Sequence, residues 1–506
     1  MTHKVFRDAV HDMITLHREE GGPATDWLDW GDGMLLDLID TPEMQRLRRI
    51  RQLGPASRVY PSAEHNRFSH ALGTLHLAKR MLGALFPRGR TEPNRVEVLQ
   101  VKVAALLHDL GHGPYSHVFE QIDPQAPCHE VWGLEILSGK SQVNKIIESH
   151  CKRLTIDNDF FLSGIGAILG FKQKSHPPNK HPHWGRQMIS SQLDADRMDY
   201  LLRDAHFTGV SYGRYDLEWV LHSLTVQHMA DGWRLCLDIS RGPAALESYI
   251  TARDHMYRQV YDHKTVRAFE VLLIHLFRTI LWIWKLEGAP PPGIPPELRA
   301  YLEGAVKGHH KPRMVDFLAL DDAVLDYAVG HWADRTPETD AQEELRWKCH
   351  LFRNRRPVYR RLFWNHAGAD VGGSDLLPDR ASADALELFF HQEQDRMVAV
   401  ADDSGELHMR PLKLLVQMDQ LERAPYAHLQ YAVSLSDPIH VVDSGGVRAA
   451  EEASAHVNFL GHSRRRLARV FVDPRARGAV ESLLKKRFSH PGLTLANPPH
   501  FVDEAL

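Results

Sequence analysis

The stretch Leu106–His117, LLHDLGHGPYSH, sets His108, Asp109, His112 and His117 within ten residues. An apolar run, VKVAAL, leads straight into it, so a buried helix ends in groups that titrate or bind metal. His108 and Asp109 are adjacent and can offer an imidazole and a carboxylate to neighbouring positions around one divalent ion. Water left on such an ion becomes a better nucleophile. Two more donors must come from elsewhere. His70, at the start of the helix in HNRFSHALG, and Asp196, in QLDADRMDYLLRDAH, are the candidates. A lone His–Asp pair is as readily a surface dipeptide; the set of four is what points to a metal.

Beyond the pair, Gly111, Gly113 and Pro114 stop the helix and turn the chain, so that His112 and His117 can point back at the ion. A new helix is expected from about Tyr115, which puts His117 and Glu120 at i, i+3 on one face. A carboxylate beside an imidazole fixes its tautomer and raises its basicity, which suits a general acid protonating a leaving alkoxide. In DADRMDYLLRD, Asp196, Tyr200 and Asp204 fall at i, i+4 and i+8, a single helical stripe with Arg197 beside it. Arg67 lies three residues before His70. Cationic and hydrogen-bonding side chains grouped in this way suit an anionic ligand. Asp199 and Arg203, also at i, i+4, read as a surface ion pair.

The elements that must position these groups are mostly helices. A strand-like start, KVFRDAVHDMITL, precedes a loop rich in Gly, Asp and Trp. DTPEMQRLRRIRQLG is expected to form one helix, capped by Asp40 or Thr41, with Pro42 in its first turn and Gly54 at its end. SHALGTLHLAKRMLGALF and NRVEVLQVKVAALLHDL follow as helices, and residues 130–206 are helical apart from a polar, Pro-rich loop, KQKSHPPNKHPHWG. LTVQHMADGWRLCLDIS alternates around a turn at Asp231–Gly232 and predicts a β-hairpin. A long helix is then expected through AALESYITARDHMYRQVYDHKTVRAFEVLLIHLF. EGAPPPGIPPE breaks the chain. More helices follow to about residue 363, then a mixed β/α region with RMVAVADDSGELHMR, LQYAVSL and LARVFVDP.

With 506 residues, 43% hydrophobic and 25% charged, the chain is long enough for two or three domains and a large core. A net charge of -4 gives no global argument for nucleic acid or a membrane surface. Cys128, Cys151, Cys236 and Cys349 are widely spaced, with no CxxC zinc pattern and no disulfide framework, which suggests a reducing cytoplasm. MTHKVFRDAV has no signal-peptide architecture, and Val271–Trp284, interrupted by His275 and Arg278, reads as a buried helix rather than a membrane span.

Taken in order, DTPEMQRLRRIRQLG, HNRFSHALG, HDLGHGPYSHVFE, DADRMDYLLRD and YRQVYDHK resemble the HD-domain phosphohydrolases, and most closely the deoxynucleoside triphosphate triphosphohydrolases. That family includes bacterial dGTPases and the animal enzyme joining a sterile alpha motif to an HD domain. The likeness covers most of residues 4–270 and continues more faintly through RNRRPVYRRLF. It implies a mainly α fold: an HD-domain helical core with a β-hairpin insertion and a smaller α+β C-terminal region. The expected division is a core at 1–286, a Pro-rich linker at 287–300 and an oligomerisation or regulatory region at 301–506.

The resemblance makes His70, His108, Asp109 and Asp196 the ligands of iron, manganese or magnesium, as one or two ions. It makes His117 the acid, oriented by Glu120, a position that carries aspartate in the animal enzyme. His112 and His129 become phosphate contacts or proton relays. Arg67, Arg197, Tyr200 and Arg253 would meet phosphates, and Asp204 the sugar 3′-hydroxyl. Gln52 and Leu53 would meet the same sugar, where a close wall leaves no room for a 2′-hydroxyl. Tyr261 would pack on sugar or base, and Tyr257 and Asp262 would read the base. Implied partners are deoxynucleoside triphosphates, as substrate and activator, and further copies of the chain in a tetramer or hexamer. Arg464–Arg466 is a candidate contact for single-stranded nucleic acid; the other basic clusters, RLRRIRQ among them, read as solvated helix faces or subunit contacts. The implied reaction is hydrolysis at the α-phosphorus to deoxynucleoside and inorganic triphosphate, with depletion of nucleotides against phage as a cellular role. The alternatives are an HD enzyme acting on another nucleotide or phosphoester, and a non-catalytic subunit that senses nucleotide or nucleic acid.

Overall fold

Val5, Phe6, Val10, Ile14 and Thr15, residues that favour strands, recur through the first eighteen positions, and this segment forms an antiparallel hairpin. Strands β1 (Thr2–Asp8) and β2 (Asp12–Arg18) pair from Thr2↔Arg18 to Asp8↔Asp12. The computed structural model describes residues 2–18, 26–87, 92–122, 126–170, 185–229, 232–241, 243–308, 312–356, 359–366, 377, 379–402, 405–423, 426, 438–462, 465–489 and 493–496. The Pro-rich stretch 172–184, the strand expected in LQYAVSL, Asp231 and Arg464 lie outside them, as do the side chains of Arg465 and Arg466.

The fold is mainly α, as the patterning implies. Helices α1 (Asp32–Ile39) and α2 (Pro42–Arg46) follow the hairpin, the second capped by the Thr41 hydroxyl with Pro42 at its start. The helix expected to run on to Gly54 is shorter. After a 3₁₀ turn at Leu47–Arg49 the backbone turns extended at Ile50, because residues 50–52 bond elsewhere: Ile50 O accepts from Arg67 N, and Gln52 N donates to His65 O. Then come α3 (Arg67–Leu85), α4 (Arg95–Leu107), α5 (His117–Glu120), α6 (His129–Ser138), α7 (Gln142–Leu154), α8 (Asn158–Leu169), α9 (Arg186–Ile189), α10 (Ala195–Thr208) and α11 (Leu217–Ser223). Of these, α3 and α4 are the most deeply buried, and α10 packs on α3. The predicted hairpin is present as β3 (Leu224–Met229) and β4 (Gly232–Asp238). It is widened to four strands by His440–Asp443, parallel to β4, and Gly446–Ala449.

The long helix expected after the hairpin is two helices. α12 (Pro243–Met256) passes into a π turn at Tyr257–Tyr261, closed by Asp262 N donating to Tyr257 O, and α13 (Lys264–Glu287) starts afresh with His263 as its cap. Such π turns cluster at functional sites. The chain divides at this break into two compact units. One comprises Met1–Asp262, Gly308–Ala323 and Ala424–Ser463; the other comprises His263–Lys307, Val324–Arg423 and Arg464–Leu506. Residues 287–300 thus lie inside the second unit, where Pro292 O accepts from Trp332 Nε1 and Pro296 opens the helix Pro296–Val306.

In the second unit α13 packs on the helix Asp340–Arg353. Strands Val416–Arg423 and Arg465–Val472 pair along their full length. Leu362, Trp364, Leu386, Leu412, Val470 and Val480 form a separate apolar core there. No helix among the described residues is long and apolar enough to cross a membrane.

Candidate active site

All of the side chains considered below belong to the first unit. His70 projects from the first turn of α3, whose N-terminus is capped by the Asn66 side chain. His108 ends α4, and Asp109 follows it. Asp196 stands in the first turn of α10, capped by Asp194. These three chain segments bring the four predicted ligands to one point. His70 Nε2 is 3.1 Å from His108 Nε2, 3.0 Å from Asp196 Oδ1 and 3.7 Å from Asp109 Oδ2. His108 Nε2 is 3.5 Å from Asp109 Oδ1 and 3.6 Å from Asp196 Oδ1.

The opposite ring nitrogens have partners of their own. His70 Nδ1 meets Asp199 Oδ2 at 2.7 Å, and His108 Nδ1 meets Ala105 O at 2.9 Å. This is how a protein fixes histidine tautomers so that both Nε2 lone pairs face a metal. Burial alone would push His70 down, but its hydrogen bonds with Asp196 and Asp199 and the charge of Asp109 carry it up to about 10. Burial opposes the charge on Asp109 as well, yet Arg67 and the neighbouring imidazoles hold its carboxyl well below the usual range. Two imidazole nitrogens and two carboxylates, with His70, His108 and Asp109 deeply set and Asp196 partly open, fit a divalent transition metal.

Four more titratable side chains, His112, His117, Glu120 and His129, come within 4.8 Å of one another at their ligating atoms. His112 stacks on His129 with ring centres 4.1 Å apart and lies edge-on to His117 at 4.9 Å. Its Nδ1 is 3.2 Å from Asp109 Oδ1, so Asp109 touches both groups. His112 Nε2 is buried without a hydrogen-bond partner. Glu120, expected to orient His117, serves His129 as well. Its Oε1 lies 2.8 Å from His129 Nδ1 and 3.5 Å from His117 Nδ1, because the glutamate arm reaches between them. Burial raises Glu120, but the two histidine hydrogen bonds outweigh it and hold the carboxyl far below its ordinary value. His117 is the open member, its side chain 65% exposed.

The turn between these groups is tightly held. Tyr115 and Ser116 both have positive φ, 54° and 59°, a strained pair for non-glycine residues. Tyr115 N donates to Asp322, and Ser116 Oγ donates to Arg51 O and accepts from Arg67 Nε at 2.9 Å. The glycines serve close approach: a Cβ on Gly111 would lie 2.0 Å from His129 O.

The expected substrate residues are partly committed. Arg67, only 4% exposed, braces Asp109 and Ser116 rather than standing free for a phosphate. Arg197 pairs with Asp194, yet its Nε is buried without a partner, as is that of Arg253. Asp204 accepts from Tyr261 OH at 2.7 Å and pairs with His65 Nε2 at 2.8 Å. Tyr261 lies edge-on to Tyr200 and Tyr257, with centres 6.2 Å and 5.1 Å away. Gln52 is tied to the same corner by its backbone bond to His65, and its side-chain oxygen is buried without a partner. Leu53, half-buried, starts the 3₁₀ turn Gly54–Arg58. Asp262 is buried at the end of the π turn.

Two expectations are overturned. The Asp199–Arg203 pair is fully buried, and Asp199 accepts a hydrogen bond from Nδ1 of candidate ligand His70. RLRRIRQ is no simple solvated face: Arg46 is 2% exposed and donates to Leu320 O and His112 O, while Arg49 and Arg51 pair with Asp321 and Asp322. Residues 314–322 thereby back the histidine turn. Sequence reasoning missed His65, Asp199 and Asp322; only the unusual density of His and Asp near these motifs hinted at them.

The pattern that defines the HD domain matches residues 67–204. Uncharacterized protein YwfO of Bacillus subtilis is 35% identical over 70% of this chain and 70% of its own length. Deoxynucleoside triphosphate triphosphohydrolase SAMHD1 of Gallus gallus is 29% identical over 56% of this chain. The match spans 47% of that relative, about half of its length. Among solved structures, a phosphohydrolase from Bacteroides thetaiotaomicron matches with a TM-score of 0.65 and 25% identity, over 93% of this chain and 99% of its own.

Proposed function

Since the chain belongs to the HD-domain family that also holds the deoxynucleoside triphosphate triphosphohydrolases, we propose that it hydrolyses a deoxynucleoside triphosphate at the α-phosphorus, giving deoxynucleoside and inorganic triphosphate. The observation that carries this reading is the sharing of Asp109 between two groups, a four-donor cation site and an imidazole–carboxylate cluster. A cation site beside a poised proton donor is what cleavage of a phosphoester requires.

A divalent metal held by His70, His108, Asp109 and Asp196 would supply Lewis acidity toward phosphoryl oxygen and toward water. The mixed imidazole and carboxylate donors favour manganese or iron there. His117, the exposed imidazole, donates a proton to the departing 5′-oxygen of the sugar. Glu120 holds His117 and His129 together and keeps the cluster ready to accept positive charge. His112, bonded to Asp109 through Nδ1, keeps an Nε2 lone pair that can accept a proton as a relay, and Arg197 and Arg253 offer their unpartnered Nε groups to phosphoryl oxygens. Asp204, held by His65 and Tyr261, would accept a further hydrogen bond from a sugar hydroxyl.

The test is to incubate purified protein with each dNTP and NTP in Mg or Mn and to identify the products. Nucleoside plus triphosphate is expected from the deoxy substrates, and Asp196→Ala should abolish it. Phosphate or pyrophosphate as the first product overturns the reading. A second nucleotide added at trace level shows in the same assay whether the enzyme needs an activator.

A further inference from the structure

The N-terminal hairpin is remote from His70 in sequence, yet its turn meets the same carboxylate. Asp199 lies on α10 three residues past Asp196 and is fully buried. Its Oδ2 accepts from His70 Nδ1 at 2.7 Å and from Arg203 Nε at 2.8 Å. Its Oδ1 accepts from His11 Nε2 at 2.7 Å and from Arg203 Nη2 at 3.0 Å. Each oxygen is doubly engaged, which fills the roughly four acceptor positions that a carboxylate has.

Arg203 is pinned in turn by Asp8, through Nη1 at 2.9 Å and Nη2 at 3.1 Å. Asp8 Oδ1 also accepts from the backbone N–H groups of Val10 and His11, which shapes the turn between β1 and β2. Asp12 closes that turn with φ of 57°. The His11 side chain is 3% exposed and leans on His76 of α3, with ring centres 5.1 Å apart. Burying two carboxylates and a guanidinium is unfavourable compared with packed apolar side chains. A network of this kind therefore calls for a task beyond filling space.

We propose that the hairpin turn, through Asp8 and His11, positions the ligand His70. Resting on the metal-centre reading given above, the proposal assigns His11 to lock the rotamer of Asp199. Asp199 then holds the proton on His70 Nδ1 and leaves the Nε2 lone pair facing His108 and Asp196. Without His11, Oδ1 keeps only Arg203, and the carboxylate can turn toward the guanidinium. The two His70 tautomers then compete, and the one protonated at Nε2 cannot ligate. His11 and Asp8 are positioning residues; neither belongs to the four-donor group.

The experiment is Mn(II) titration of the metal-free full-length protein by electron paramagnetic resonance, with the thermal midpoint of each apo-protein recorded alongside. His11→Ala should weaken Mn(II) binding by about 10-fold, the lower end of the range for losing the direct partner of a metal-ligating histidine, because His11 acts on His70 through Asp199. His11→Gln, whose amide can donate to the same oxygen, should recover most of the affinity. His11→Phe keeps a ring against His76 but donates nothing, and should behave like His11→Ala. At saturating Mn(II) the KM for nucleotide should return to the wild-type value in all three. Wild-type affinity in His11→Phe overturns the proposal, because packing alone would then suffice. Wild-type affinity in Asp196→Ala overturns the metal-centre reading itself, a separate result.

Discussion

Gly73 and Gly83 lie on the same helix, α3, and differ in what faces them. A Cβ on Gly73 would sit 1.9 Å from Asp199 Oδ1, 2.5 Å from Arg203 Nη2 and 2.6 Å from Asp199 Cγ. Both side chains are fully buried and cannot swing into solvent. A Cβ on Gly83 would meet Leu28 Cδ2 at 3.7 Å, an ordinary contact. Glycine to alanine in a helix interior is favourable by about 0.8–1 kcal/mol. Nothing opposes that gain in Gly83→Ala. In Gly73→Ala, overpacking costs about 1–3 kcal/mol. Displacing Asp199 also leaves donors of His11, His70 or Arg203 poorly paired, at about 1–3 kcal/mol each. The net expectation is a loss of about 2–4 kcal/mol for Gly73→Ala, built from those same ranges. At about 2–4 °C per kcal/mol, Gly73→Ala should melt roughly 4–16 °C lower and Gly83→Ala slightly higher than wild type. Circular dichroism melts of the two single variants decide it, with Mn(II) titration to show whether Gly73→Ala also weakens metal binding. A Gly73→Ala protein as stable as wild type would refute the reasoning, since Asp199 would then have room to move without loss.

Three further expectations follow from the geometry. His76 is pushed down to about 4, first by burial and then by His11 and Arg80, so it is neutral in the fold and protonates in the unfolded chain below about 6.5. Its contribution to stability is therefore full above pH 6.5 and is lost as the pH falls toward 4, up to about 3 kcal/mol; urea melts should show this slope, and His76→Gln should flatten it. Glu120→Gln should lower kcat by about 100-fold or more with little change in KM, and Glu120→Asp should fall between, because its shorter arm cannot serve His117 and His129 together; steady-state kinetics separate the two. Tyr261→Phe removes the hydroxyl bonded to Asp204 and should raise the KM for deoxynucleotide about 10-fold with kcat largely kept.

The parts of the site legible in the sequence were those carried by adjacent or helically spaced residues. His108–Asp109, the His117–Glu120 spacing and the hairpin at Leu224–Asp238 were read from local pattern, and the structure brings the four candidate ligands within 3.0–3.7 Å contacts of one another. What escaped is non-local. Asp199 and Arg203 have the spacing of a solvent-exposed helical pair, and nothing in eleven neighbouring letters says that glycine at position 73 lets that face sink into α3. The break at Tyr257–Tyr261 was hidden for a related reason: helix-forming residues run through it, and only the π turn's own hydrogen bond separates α12 from α13.

The ion-pair case also shows which way the inference should run. A carboxylate and a guanidinium four residues apart contribute little at a surface. Once buried, they are tolerated only when every lone pair and N–H is used. Here the count leads outward from Asp199 to His70 on one side and to His11, Arg203 and Asp8 on the other. The first eighteen residues, read from the sequence only as a strand-like start, are therefore bonded to the carboxylate that holds His70 Nδ1. Removing the hairpin should cost both metal affinity and stability, because Ile14 and Leu16 of β2 are buried, β2 packs on α1 and α3, and Asp8 pairs with buried Arg203.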